Sequence, residues 1–138
     1  MRNNLKLALL NSEYTVHRLK PEQDIPAQVF KSDFFSITKT DEELSIVCDA
    51  KTSLPSEKSE AGWSCIKVLG PLDFALTGIL AKISSILAEA EISIFALSTY
   101  DTDYILVKSD ALVVAEKALK EAGYVFEKQI MEGENTHA

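Results

Sequence analysis

At 138 residues, 46% of them hydrophobic and 25% charged, the chain reads as one soluble domain or two small halves sharing a core. A net charge of -7 argues against nucleic acid and against anionic membrane surfaces, both of which need clustered Lys and Arg. Two cysteines, Cys48 and Cys65, are too few for a disulfide framework. Both stand in apolar, strand-like runs and read as buried free thiols, with a single disulfide between them as the alternative.

The apolar run Leu7 to Leu10 is shorter than a signal peptide's core, and no stretch approaches the length of a membrane span, so the expected location is the cytoplasm. Leu5 to Leu10 and Tyr14 to Leu19 are expected as two strands around a tight Asn11-Ser12-Glu13 turn. Asp24 to Phe30 suits one or two helical turns, with Pro26 tolerated only in the first. Phe34 to Thr38 and Leu44 to Cys48 read as strands joined at Thr40-Asp41-Glu42. Ala50 to Gly62 is polar, nearly free of large apolar residues, and reads as a linker.

The second half has a stronger pattern. Trp63 to Leu69 is a strand closed by Gly70-Pro71. Leu76, Ile79, Leu80, Ile83, Ile86, Leu87 and Ala90 then fall on one helical face, with Asp73 as a candidate cap for the bare first-turn amides. Ile92 to Leu97 and Tyr104 to Val107 read as strands around a polar turn. Ser109-Asp110 opens a second helix marked by Leu112, Ala115, Ala118, Leu119 and Ala122, with Gly123 at its C-terminal cap. Tyr124 to Phe126 is a closing strand, and the tail from residue 130 is expected to be disordered.

The order is βαββαβ. The fold class is therefore α+β, a ferredoxin-like sandwich with two helices on one face of an antiparallel sheet. The second repeat (61–129) is complete, and the first (1–60, with its linker) is a shortened copy.

Within the second half, "GPLDFALTGILAKISSILAEAEISIFALSTYDTDYILV" resembles the ACT domain, in particular the tandem-ACT proteins related to the CASTOR-type cytosolic amino-acid sensors. Gly78 matches the glycine at that family's helix start. Leu87 to Ile94 matches its "LAEAG-I-I" phrase, with Glu91 where glycine is usual. "FFSITKTDEELSIVC" resembles the first of two such repeats.

The resemblance implies a regulatory module that binds a free amino acid at an interface between ACT units, and a homodimer that signals to a regulated protein partner. It places the ligand against Asp73, Phe74, Thr77, Gly78 and Ile79 on one side, and Thr99, Tyr100, Asp101 and Asp103 on the other. Ser45 and Ile46 would face it across the interface.

The chemistry of those residues suits such a ligand. A helix N-terminus carries unbonded N–H groups and about half a positive charge, so it can hold a carboxylate without a basic side chain. Asp101 and Asp103 can accept from an α-ammonium group or from a cationic side chain such as that of arginine or lysine. Three or four charge-assisted hydrogen bonds, less ordering costs, correspond to about micromolar binding. Each residue also has a purely structural reading: Asp73 as a cap, Asp101 and Asp103 as turn formers, Gly78 as a packing glycine.

Catalysis has little support. Only two histidines are present, His17 on a strand that reads as surface and His137 in the tail. No metal-ligand cluster, phosphate loop or dinucleotide fingerprint appears, so neither an enzyme nor a cofactor is expected. An interaction module without a small ligand is the alternative. A single-stranded RNA binder would need Phe95 and Tyr104 bare on the sheet face among basic residues.

Overall fold

A computed structural model describes residues 5–69 and 78–130. Two long strands, β1 (Lys6–Leu19) and β4 (Lys58–Val68), run antiparallel through its middle, from Leu7 opposite Val68 to Arg18 opposite Lys58. β3 (Leu44–Asp49) pairs with the second half of β1, and β2 (Ser36–Lys39) pairs with β3 at the edge. On the other side β6 (Asp103–Lys108) pairs with β4, and β5 (Ile94–Ser98) folds back on β6. β7 (Val125–Ile130) runs parallel to the first half of β1. The result is one seven-stranded sheet of order β2-β3-β1-β4-β6-β5, with β7 beside β1.

The helices α1 (Ile79–Glu89) and α2 (Leu112–Glu121) form where the apolar spacing places them. Ile83 and Leu87 of α1 and Ala115 and Leu119 of α2, each pair four apart, are wholly buried. They pack on Leu7, Leu9, Ile66, Val68, Ile105 and Val107 from three adjacent strands. Full burial of each large aliphatic side chain contributes about 1.5–3 kcal/mol, so this layer is the main source of stability.

The alternate residues of the same strands face the other way. Leu10, Tyr14, Cys65, Tyr104 and Leu106 form a second cluster, covered by Phe34. The Phe34 ring stacks on Tyr104 at 4.4 Å and meets Tyr14 edge-on at 5.6 Å. A third cluster gathers Leu19, Val29, Leu44, Ile46 and Cys48 under the segment 50–57, with Leu54 packed against it.

Both helices end alike. After α2, Gly123 turns left-handed (φ 102°), its N–H reaching Lys120 O at 3.0 Å and the Tyr124 N–H reaching Leu119 O at 3.1 Å. After α1 the same pattern falls on Glu91 (φ 62°), with Glu91 N–H to Ala88 O and Ile92 N–H to Leu87 O, both 2.9 Å. Glu91 is the one non-glycine residue with positive φ among the described residues, so the helix stop here is imposed by its two closing hydrogen bonds and not by residue preference.

Three expectations are corrected. Asn11-Ser12-Glu13 is not a turn: β1 runs straight through it, and the pairing with β4 shifts register between Leu9 and Glu13. None of the three has the positive φ of a tight hairpin, so the surplus residues are absorbed as a bulge. The first half of β1 then pairs with β4 and β7 instead of folding back on its own second half.

The linker expected over 50–62 is shorter, because β4 begins at Lys58. Its first residues are polar because they lie exposed, while the ladder to Val16, His17 and Arg18 holds their backbone. The helical turns expected over 24–30 reduce to a 3-10 turn, Ala27–Lys31, which starts after Pro26. Neither cysteine is in a disulfide, and both are buried.

Candidate functional site

The polar turn between β5 and β6 is built by two threonines. The Thr99 N–H donates to Thr102 O at 2.8 Å; the Thr99 hydroxyl donates to the same carbonyl at 3.1 Å and accepts from the Thr102 N–H at 3.2 Å. Thr102 is itself buried, and its hydroxyl donates to the Val68 carbonyl at the end of β4. At the base of the turn the Ser98 hydroxyl donates to Asp103 Oδ1 at 2.6 Å. Asp101 is exposed and Tyr100 is 80% exposed, so the rigid turn presents an acid and a ring outward.

The start of α1 lies at the same end of the sheet. β5 is parallel to β4, since each is antiparallel to β6, and α1 runs back between them. Its N-cap is Gly78, left-handed at φ 77°, which contributes no side-chain hydrogen bond to the first turn. A Cβ at Gly78 would meet nothing within 4 Å, so glycine is needed here for its backbone angle and not for close packing. Ile79 is half-buried against the sheet–helix core. Asp73, Phe74 and Thr77 lie outside the described residues.

Ser45 and Ile46 stand elsewhere. Ser45 faces Arg18 across the β1–β3 ladder and lines a shallow groove of about 220 Å³ with Arg18, Glu43, Lys58 and Phe95. Ile46 is wholly buried in the third cluster and presents no surface, which corrects its expected place against a ligand. The groove is at the Arg18 end of β1, whereas Leu69 N–H bonds to Lys6 O at the end near the turn. Phe95 of β5, which also lines the groove, stands four residues before Thr99 of the turn. Ser45 lines this groove, whose lining stops short of the turn residues themselves.

Sequence reasoning missed two residues. Thr102, one residue of a polar turn in the sequence, is the turn's buried anchor. His17, expected at the surface, is 6% exposed, because it shares a face of β1 with buried Leu19. Its Nδ1 lies 2.5 Å from Ser56 Oγ, while Nε2 is buried with no hydrogen-bond partner. This Ser–His pair is not a catalytic triad, since nothing orients the far nitrogen as a third member would. Burial also pushes the Cys48 thiol up to about 11, with the Asp49 carboxylate adding to the effect.

The aromatic residues that an RNA surface would need are committed to packing. Tyr104 is buried beneath Phe34, and Phe95 on edge strand β5 is half-buried beside Trp63 at 6.3 Å. Among the described residues no helix is long and apolar enough to cross a membrane.

The ACT domain family matches residues 58–121, and a second family, describing an N-terminal domain, matches residues 12–57. The protein Atu0741 from Agrobacterium tumefaciens is 37% identical in sequence, with a TM-score of 0.85 over 96% of this chain and 99% of that one. The cytosolic arginine sensor for mTORC1 subunit 1 is 37% identical in Homo sapiens over 87 residues and in Bos taurus over 92. Those matches take in 57% and 59% of this chain but only 26% and 28% of the relatives' own length. Aspartate kinase from Clostridium acetobutylicum shares the fold over 84% of this chain and 34% of its own, with a TM-score of 0.61 at 14% identity. By its sequence matches and its sheet and helix arrangement, the chain belongs to the ACT-domain family and is related to the CASTOR-type sensors.

Proposed function

We propose that the protein is a non-catalytic regulatory module that binds a free amino acid between two ACT units. The carrying observation is the anchored turn: Thr102 fixes Asp101 and Asp103 at the sheet end where α1 begins behind Gly78. A ligand carboxylate suits the α1 amides, and an ammonium or guanidinium group suits the two aspartates. Asp73, Phe74 and Thr77 complete this side of the site in the reading. The arginine sensors among the relatives support a cationic ligand, acting in the cytosol.

In this reading a second copy closes the site across the interface, and the working form is a homodimer that signals to a protein partner. The 1–60 and 61–129 units share β1 and β4 and act within each protomer as one body. Ligand binding would then favour one dimer arrangement over another.

A thermal-shift screen of the twenty free amino acids tests the reading, because a ligand selective for the native state raises the midpoint. The interaction module without a ligand is favoured by one observation: Asp103 is already engaged by Ser98, as a purely structural turn acid would be. No shift with any amino acid would select that second reading.

A further inference from the structure

The segment 50–57 joins β3 to β4 and runs across the seam between the two matched regions, 12–57 and 58–121. Several contacts hold it down, four of them along 53–57. Leu54 packs on the third cluster, Gln28 Nε2 donates to Ser53 O at 3.0 Å, the Glu57 N–H donates to Arg18 O at 2.8 Å, and His17 meets Ser56 at 2.5 Å. Only the last of these contains a group that titrates near neutrality.

We propose that His17 is a pH-sensitive latch on the segment 50–57, closed while its imidazole is neutral and released when both ring nitrogens carry protons. In the closed state the Ser56 hydroxyl lies 3.3 Å from the Leu54 carbonyl and donates to it, while it accepts from Nδ1–H. That leaves Nε2 as a buried lone pair without a donor, which is tolerable for a neutral ring. A second proton on Nε2 creates a charged donor in the same apolar place, with no acceptor. The ring then gains by swinging to water, and Ser56 and Leu54 lose their support.

No neighbouring charge rescues the imidazolium. On β3, Ile46 stands opposite His17, and Cys48, one pair further along the same face, is a neutral thiol. On β4, Ser59 stands opposite; Glu60, which lines the same shallow groove as His17 and Lys58, is already paired with the Lys108 ammonium at 3.1 Å. Glu57 on the segment is held by the Arg18 guanidinium, Oε1 to Nε at 3.6 Å, and Arg18 is also paired with Glu43 at 3.3 Å. Burial alone holds the His17 imidazole below its ordinary 6.5. The sign follows: the folded state binds the proton less well than the opened one, so the latch is intact above pH 6.5 and weakens as pH falls below it. Each pH unit through that window favours opening by up to about tenfold.

Hydrogen exchange of the intact protein, corrected for intrinsic pH dependence and read at amides 51–57 between pH 7.5 and 5.0, tests the latch. Protection should fall in the wild type with a midpoint matching the His17 imidazole titration measured by NMR on the same sample. It should stay level in His17→Phe, which keeps the volume without the charge. Unchanged protection in the wild type, or a midpoint unrelated to the imidazole, overturns the proposal even if the variant does not fold. Equal loss in wild type and variant overturns it as well.

Discussion

The buried hydroxyl of Thr102 donates to the main-chain carbonyl of Val68, and so ties the β5–β6 turn to the strand that leads toward α1. Thr102→Val keeps the shape and removes the donor, leaving a buried carbonyl unsatisfied. The expected cost is about 1–3 kcal/mol by chemical denaturation, with most of it restored in Thr102→Ser. The same valine variant should weaken ligand binding, because Asp101 and Asp103 lose their fixed positions.

Glu91 carries a backbone angle that its neighbours force on it. Glu91→Gly should raise stability by about 1 kcal/mol, read as a higher denaturation midpoint at unchanged slope. Gly78→Ala should act in the opposite direction by about 1–2 kcal/mol: space is open for the added methyl, but φ is wrong for it.

The helices and their buried faces were legible because the helical period has few rivals. Ile83, Leu87, Ala115 and Leu119 stand on the apolar marks and are wholly buried. The route of β1 was not legible, since Asn11-Ser12-Glu13 has the composition of a turn and only long-range pairing with β4 and β7 makes it a bulge. The start of β4 was hidden for a similar reason: Lys58 to Ala61 are exposed, so strand pairing left no apolar alternation to read. At the candidate site the two aspartates were visible, but their anchor was not, because a threonine in a polar run gives no sign of burial. His17 was misread because alternation from Leu19 was weighed less than polarity.

Cys48 is buried, and its thiol is pushed up to about 11, so very little thiolate exists at pH 8. Alkylation by iodoacetamide at pH 8 should modify Cys48 at least about tenfold more slowly in the native protein than in the urea-unfolded chain. Equal rates, followed by mass spectrometry, would contradict the burial assigned to β3.

The two turn acids should separate binding from stability. Asp101 is exposed, so Asp101→Ala should change stability by less than about 0.5 kcal/mol. Asp103 accepts from Ser98, so Asp103→Ala should cost about 0.5–1.5 kcal/mol. Each variant should lower amino-acid affinity about tenfold or more through loss of a charge-assisted hydrogen bond.

Titration calorimetry with free arginine, and then with the remaining amino acids, tests the central claim most directly. The account predicts saturable binding at about micromolar affinity in the wild type and none in the Asp101→Ala/Asp103→Ala double variant. No heat from any of the twenty, or undiminished binding by the double variant, would contradict it.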